Sequence, residues 1–508
     1  MLHRLASRSR SRLWAPGALL GLRGEKSARL RAIVTRPLVS AANTPGSLSV
    51  AAPVRAAAQP WSPTSWISRP QAQAVTYPDP QVVDAVVARL GQLPPLVTSW
   101  EIERLREQIA EAQAGKRFLL QGGDCAETLG DCQPDVVART LKILLQMSLV
   151  LIHGSHLPVI RMGRFAGQYA KPRSSPTETR GGVTLPSYFG DLVNRQEFTP
   201  AARTPDPELL LQGYLHAGLT INFVRSLAAG GFADLHHPEF WDLAHLQRAD
   251  LSAELREEYQ HMVRQLSEAL RFMEALGERT VDDLTRVEFF SSHEGLSLHY
   301  EAAQTKTVPR RGGYYDLTTH MPWIGERTRD VDGAHVEFFR GIRNPVGVKI
   351  GPKATPDEIA VLLDRLNPEN ELGKIVFISR CGAGKVADAL PPLVDAVKRQ
   401  GRNVLWICDP MHGNGRQTST GIKTRDFQDV LREIEISFDV HEAAGTHLGG
   451  VHLELTGDDV TECIGGGLAE CDLDRNYASA CDPRLNYRQA LEMAFRLSKR
   501  MARGKRGR

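Results

Sequence analysis

Seven short apolar runs, each followed by a polar motif, constrain this chain more than any other feature. They are Phe118–Gln121, Pro158–Met162, Val287–Ser291, Val346–Ile350, Lys374–Ser379, Asn403–Cys408 and Gly450–Leu455. Several are uniformly apolar rather than alternating, as in parallel strands buried on both faces. Helical patterns at Thr355–Leu366, Pro391–Gln400 and Thr424–Ser437 separate the later runs. This alternation predicts an α/β fold, a (β/α)8 TIM barrel, with its chemistry at the C-terminal ends of the strands.

Two parts exceed a plain barrel. Residues 77–116 read as an N-terminal helical extension, with helices at Gln81–Gly91 and Ser99–Gly115. Residues 205–280, between the second and third strands, read as a helical insertion of three helices: Asp206–Ala228, Pro238–Leu246 and Ser252–Leu276. An insertion of this length is expected to serve regulation or assembly. No Pro/Gly/Ser-rich linker divides the body, so residues 76–508 read as one domain.

The ends differ from the body in charge. Of 62 basic and 59 acidic residues, eleven bases and one acid fall in residues 1–75, leaving a mildly acidic body. That Arg-, Ser-, Ala- and Pro-rich segment has the composition of an organellar transit peptide. The basic tail at 503–508 reads as a frayed, solvated terminus, and no nucleic-acid partner is expected. No run approaches about 20 uncharged apolar residues, so no membrane span is expected. Seven scattered cysteines fit a reducing compartment rather than a disulfide framework.

Four motifs offer metal-capable side chains beside turns or strand ends: QGGDCAET (121–128), DPMHGN (409–414), GGVHLELTG (449–457) and ACDPRLN (480–486). Their candidates are Cys125, His412, Glu454 and Asp482, a mixed S/N/O set that suits a first-row divalent ion better than a structural zinc. His452 alternates with Glu454 and so shares its strand face; it stands as a supporting or core residue. Basic motifs accompany these four. Arg164 ends the second run and Lys171-Pro172-Arg173-Ser174 follows it. Glu326 and Arg327 lie in WIGERTR, Lys349 in VGVKIGP and Arg380 in ISRCGAGK. Guanidinium and ammonium groups at successive strand ends converge on one mouth, which suits phosphorylated, anionic small molecules. No GxGxxG or Walker loop accompanies them, which argues against nucleotide binding.

With AGQYAKPRS, SHEGL, NPVGVKIGP and TECIGG in the same order, these motifs closely resemble the type II 3-deoxy-D-arabino-heptulosonate 7-phosphate (DAHP) synthases, from about residue 77 to 500. The resemblance implies a metal-dependent transferase that joins phosphoenolpyruvate (PEP) to erythrose 4-phosphate by aldol-type chemistry, opening the shikimate pathway. It implies Cys125, His412, Glu454 and Asp482 as ligands of Mn²⁺, with Co²⁺ as the alternative. Arg164, Glu326, Arg327, Lys349 and Arg380 would hold PEP, and Lys171, Pro172, Arg173 and Ser174 the erythrose 4-phosphate. Lys349 would also move a proton. A homo-oligomer, an aromatic amino-acid effector and a plastid location, with the mitochondrion as alternative, are expected. The chain departs from the family pattern at Arg343, Cys381, Gly384 and the residues after HGN.

Two other readings stand beside this one: a barrel synthase joining PEP to a different sugar, and a paralogue that binds but no longer turns over. The latter should have lost a ligand or a strand-end arginine, and none is lost. Finally, Cys481 neighbours Asp482, which leaves two alternatives: Cys125 and Cys481 come within disulfide range, where a bridge would remove the metal thiolate, or Cys481 points away and is simply packed.

Overall fold

The computed structural model describes residues 60–230, 253–275 and 287–506. The expected helix Pro238–Leu246 and the leader up to residue 59 lie outside the described residues. Eight parallel strands form one curled sheet: β1 (Phe118–Gly123), β2 (Val159–Arg164), β3 (Phe290–Ser291), β4 (Trp323–Ile324), β5 (Val346–Ile350), β6 (Ile375–Ser379), β7 (Val404–Cys408) and β8 (Gly450–Glu454). Their order is β3-β2-β1-β8-β7-β6-β5-β4. The two end strands also meet: a parallel bridge joins Glu294 to Trp323, and Trp323 N–H donates to His293 O at 3.0 Å. This is a TIM-like α/β fold. The strand absent from the sequence reading is β4, two residues long and preceded by Pro322, too short to register as an apolar run.

Helices α1 (Pro80–Gln92) and α2 (Ser99–Gln113) precede the sheet, and α3 (Pro134–Ser155) follows β1. Between β2 and β3 stand α4 (Glu208–Ala229) and α5 (Ala253–Ala275). The remaining helices α6 (Leu298–Ala303), α7 (Ala334–Phe339), α8 (Pro356–Leu366), α9 (Val386–Arg399), α10 (Phe427–Ala443) and α11 (Tyr487–Arg506) follow β3 to β8 in turn. The α9 pattern begins five residues before Pro391, because buried Val386 and Leu390 extend its packed face past the two prolines. The basic tail is helical as far as Arg506 rather than frayed from Arg503.

Thr98 and Glu101 cap α2 reciprocally, the Thr98 N–H donating to Glu101 Oε2 at 2.8 Å. Leu105, Ile109 and Ala112, at helical spacing, are fully buried among Leu119, Met162, Trp323, Val376 and Ile407 of the sheet. This helix therefore fills the interior of the curled sheet with apolar side chains. Each large one contributes about 1.5–3 kcal/mol by leaving water. α3 has the length and apolar composition of a membrane span, yet Ile143, Leu144, Met147 and Leu151 are fully buried in the main core.

Residues 60–75, expected to belong to the transit-peptide-like leader, pack on the fold. Trp66 is buried, and the Trp61 indole donates to Glu337 O at 2.9 Å. The two tryptophans were the signal, masked by the Arg/Ser/Pro composition around them.

Candidate active site

The C-terminal ends of the strands surround a cleft of about 980 Å³ counting its open mouth. At the end of β1, Gly123 (φ 142°) brings the chain against β2; a Cβ there would lie 2.8 Å from Arg164 O. Arg164 is buried at the end of β2 and ties three strands together. Its guanidinium donates to Asp124 O at 2.8 Å, to Cys125 O at 3.0 Å and to Glu454 Oε1 at 3.0 Å. It also touches His452 and lies over the Trp323 ring, 5.2 Å from its centroid. His452 thus faces inward with Glu454, as strand alternation requires. Burial, with Lys349 and Arg164 nearby, holds its imidazole neutral.

The four metal candidates meet here. The donor atoms of Cys125, Glu454 and Asp482 lie within 4.8 Å of one another. His412 Nε2 is 3.1 Å from Glu454 Oε1. Asp409, fully buried, accepts from His412 Nδ1 at 2.7 Å and from the His412 N–H at 3.2 Å, which aims Nε2 at the cluster. The Lys171 ammonium rests among the donors, touching Cys125 Sγ, 2.8 Å from Asp482 and 3.6 Å from Glu454. The set thus closes around a positive charge, and its thiol, imidazole and carboxylates fit a divalent ion. Burial raises the Glu454 and Asp482 pKa values, but His412, Lys171 and Arg425 outweigh it, so both stay carboxylates. Burial, the Cys481 contact and Glu454 together raise the Cys125 thiol.

Around the cluster the cleft is cationic. Lys349 at the end of β5 touches Asp409, and burial, with Arg164 and Arg380 nearby, lowers it to about 8. Arg380 at the end of β6 donates to His412 O at 3.0 Å. Glu326 pairs with Arg329 at 3.2 Å while Arg327 is exposed at the mouth. Arg173 and Pro172 line the cleft beside Lys171, with Ser174 at its edge.

A profile described as the class-II DAHP synthetase family matches residues 61–498. The phospho-2-dehydro-3-deoxyheptonate aldolase of Streptomyces coelicolor is 48% identical over 444 residues, 87% of this chain and 98% of that protein. Its Neurospora crassa namesake is 47% identical over 453 residues, 86% of this chain and 93% of its own length. The chain belongs to the class-II DAHP synthetase family. The match begins some sixteen residues before the resemblance quoted from motifs, taking in the segment anchored by Trp61 and Trp66.

Every site residue expected from sequence lines this one cleft except Glu454, which lies in the donor cluster at its floor. One placement differs from expectation: Lys171 sits inside the donor cluster rather than out along the sugar-phosphate stretch. Burial works against its charge, but Cys125, Glu454 and Asp482 outweigh burial and hold the ammonium there. Sequence reasoning missed several residues. Arg425 is buried, 2.8 Å from Glu454, and Lys423 reaches Asp482 at 3.5 Å. Both lie on the second strand of a short hairpin, Gly415–Gln417 paired with Lys423–Arg425, that follows HGN. Asp409 and Glu294 stood inside quoted motifs, DPMHGN and SHEGL, but were assigned no role. The Glu294 carboxyl faces the cleft, and burial raises its pKa.

Proposed function

We propose that the cleft carries out the family's reaction on this chain: PEP, erythrose 4-phosphate and water give DAHP and phosphate, the first step of aromatic biosynthesis. The observation that carries this is the convergence of a four-donor mixed cluster and a cationic cleft on one set of strand ends. Arg164, Lys349 and Arg380 converge on one wall, suited to the phosphate and carboxylate of PEP, with Arg327 at the mouth. Arg173 and Ser174 face the second phosphate. Opposing the mutual repulsion of two anionic substrates is itself a large part of the catalysis.

A divalent ion held by Cys125, His412, Glu454 and Asp482 would supply Lewis acidity to the sugar aldehyde. Carbon 3 of PEP attacks that aldehyde, water adds at carbon 2, and phosphate leaves with its C–O bond. Lys349 and Glu294 both line the cleft and burial moves each toward neutrality, so they are assigned the proton transfers. Mn²⁺ is proposed as the ion, with Co²⁺ as substitute. The test is phosphate release from PEP and erythrose 4-phosphate by metal-reconstituted protein, with arabinose 5-phosphate as comparison. Turnover of only the latter would overturn the assignment.

We further infer a homo-oligomer whose contact includes α4. Leu215 and Leu219, one turn apart, are 50% and 62% exposed on its outer face. An aromatic amino acid is proposed to act as effector near that contact. Light scattering of Leu215→Glu/Leu219→Glu should show a smaller species, and an unchanged mass would refute the contact. The segment before residue 60 is proposed to direct import into a plastid, or else a mitochondrion. A fluorescent fusion left in the cytosol would refute it.

A further inference from the structure

Residues 60–79 contribute nothing to the donor cluster or to the lining of the cleft, yet they run across α7, α6 and the loop that follows β2. The first half is anchored at α7, where Trp61 donates to Glu337 O and Pro70 O accepts from the Ala334 N–H at 2.9 Å. Trp66 stacks edge-on against His299 of α6, with ring centroids 5.1 Å apart. The second half turns at Gln73, whose φ of 58° is in the left-handed region, uncommon for a residue with a Cβ. That turn delivers the Gln73 side chain to the loop after β2. Its Oε1 accepts from the Arg173 backbone N–H at 2.7 Å, across 100 residues of sequence.

The Arg173 N–H belongs to the peptide that joins Pro172 to Arg173. A hydrogen bond there fixes the plane from which the Arg173 side chain departs toward the cleft. Val75 and Tyr77 then wall a shallow cleft of about 420 Å³, counting its open mouth, behind Ala170 and Phe189. The same loop is pinned on its other side, where the Lys171 N–H donates to Phe189 O at 2.9 Å. A turn in a disfavoured conformation, held by one contact to a cleft-lining loop, suggests a functional constraint at that contact.

We propose that Gln73 is a positioning residue for the sugar-phosphate end of the cleft: it holds the Pro172–Arg173 peptide so that Arg173 faces the incoming phosphate. This rests on the reading that Arg173 and Ser174 take the phosphate of erythrose 4-phosphate. Gln73 touches no substrate, so its loss should change affinity for one substrate rather than the chemistry.

The test uses the full-length protein, metal-loaded, with both substrates varied. Gln73→Ala should raise KM for erythrose 4-phosphate about five- to tenfold, the scale of one lost hydrogen bond. KM for PEP and kcat should stay within about twofold, with unchanged melting temperature and metal content. Gln73→Gly relieves the left-handed turn but lacks the acceptor, so it should show the same defect. Gln73→Glu keeps the acceptor and should restore the parent value. An unchanged KM for erythrose 4-phosphate in Gln73→Ala, an equal rise in both KM values, or parent-like Gln73→Gly would overturn the proposal. A parent enzyme that fails to turn over erythrose 4-phosphate would instead overturn the reading on which it rests.

Discussion

Inside the curled sheet, the end beneath the strands is filled by Leu105, Ile109 and Ala112 of α2, while the end above them holds Arg164, Lys349, Asp409 and Glu454. Both sets are almost wholly out of water. The apolar set gains free energy by that removal. The charged set loses hydration and recovers it only through close partners, so such groups add little net stability. One end therefore holds the fold together, and the other is kept for what binds in it. Substitutions at the two ends should separate stability from activity.

The largest expected effect is at the charged end. His412→Ala removes a proposed ligand and should abolish metal binding and turnover while leaving the melting temperature of the metal-free protein almost unchanged. A variant that keeps metal and rate would break the contrast. Asp409→Asn keeps the shape but weakens the aim of His412, and should cost about 10–100-fold in metal affinity or rate, read by metal titration. At the apolar end, Ile109→Ala should cost about 2–5 kcal/mol in denaturant unfolding, with the rate per folded molecule unchanged. A selective loss of rate would mean that α2 shapes the cleft.

A pH series sharpens the comparison further. Lys349 carries its charge below about 8 and loses it above, so PEP loses a cationic partner as pH rises. KM for PEP should climb through that pH, and a flat profile would remove Lys349 from PEP binding. The Cys125 and Cys481 thiols lie in one small apolar cluster with Tyr188. Two-electron oxidation of the metal-free protein to a Cys125–Cys481 disulfide should block metal uptake until a dithiol is added. Cys481→Ser should resist this, and equal inactivation of that variant would exclude the bridge. The smallest effect is on the outer face of α2. Trp100→Ala should cost about 0.5–1 kcal/mol by losing its exposed stacking with Arg311.

The alternation of buried strands and helices was legible because parallel strands need continuous apolar runs. β4 was not, since two residues carry no period. The donors and strand-end cations were legible because each stands in a multi-residue motif and most lie in or just after an apolar run. Lys423 was hidden in a hairpin with no apolar pattern, and Arg425 because Thr424–Ser437 reads as a helix, whereas the chain is a strand at Lys423–Arg425 and the helix begins at Phe427. The role of Asp409 depends on a three-residue turn that aims His412, which spacing alone does not reveal. The packing of residues 60–75 was masked by leader-like composition, although Trp61 and Trp66 are the kind of side chains that need a core.

The most direct test is a titration of verified metal-free protein with Mn²⁺, following heat of binding and phosphate release from PEP and erythrose 4-phosphate together. One ion should bind per chain, with turnover absent at the start and rising in step with occupancy. In Glu454→Gln both signals should weaken together. Full turnover before any ion is added, or binding that persists without change in Glu454→Gln, would contradict the assignment of the donor cluster.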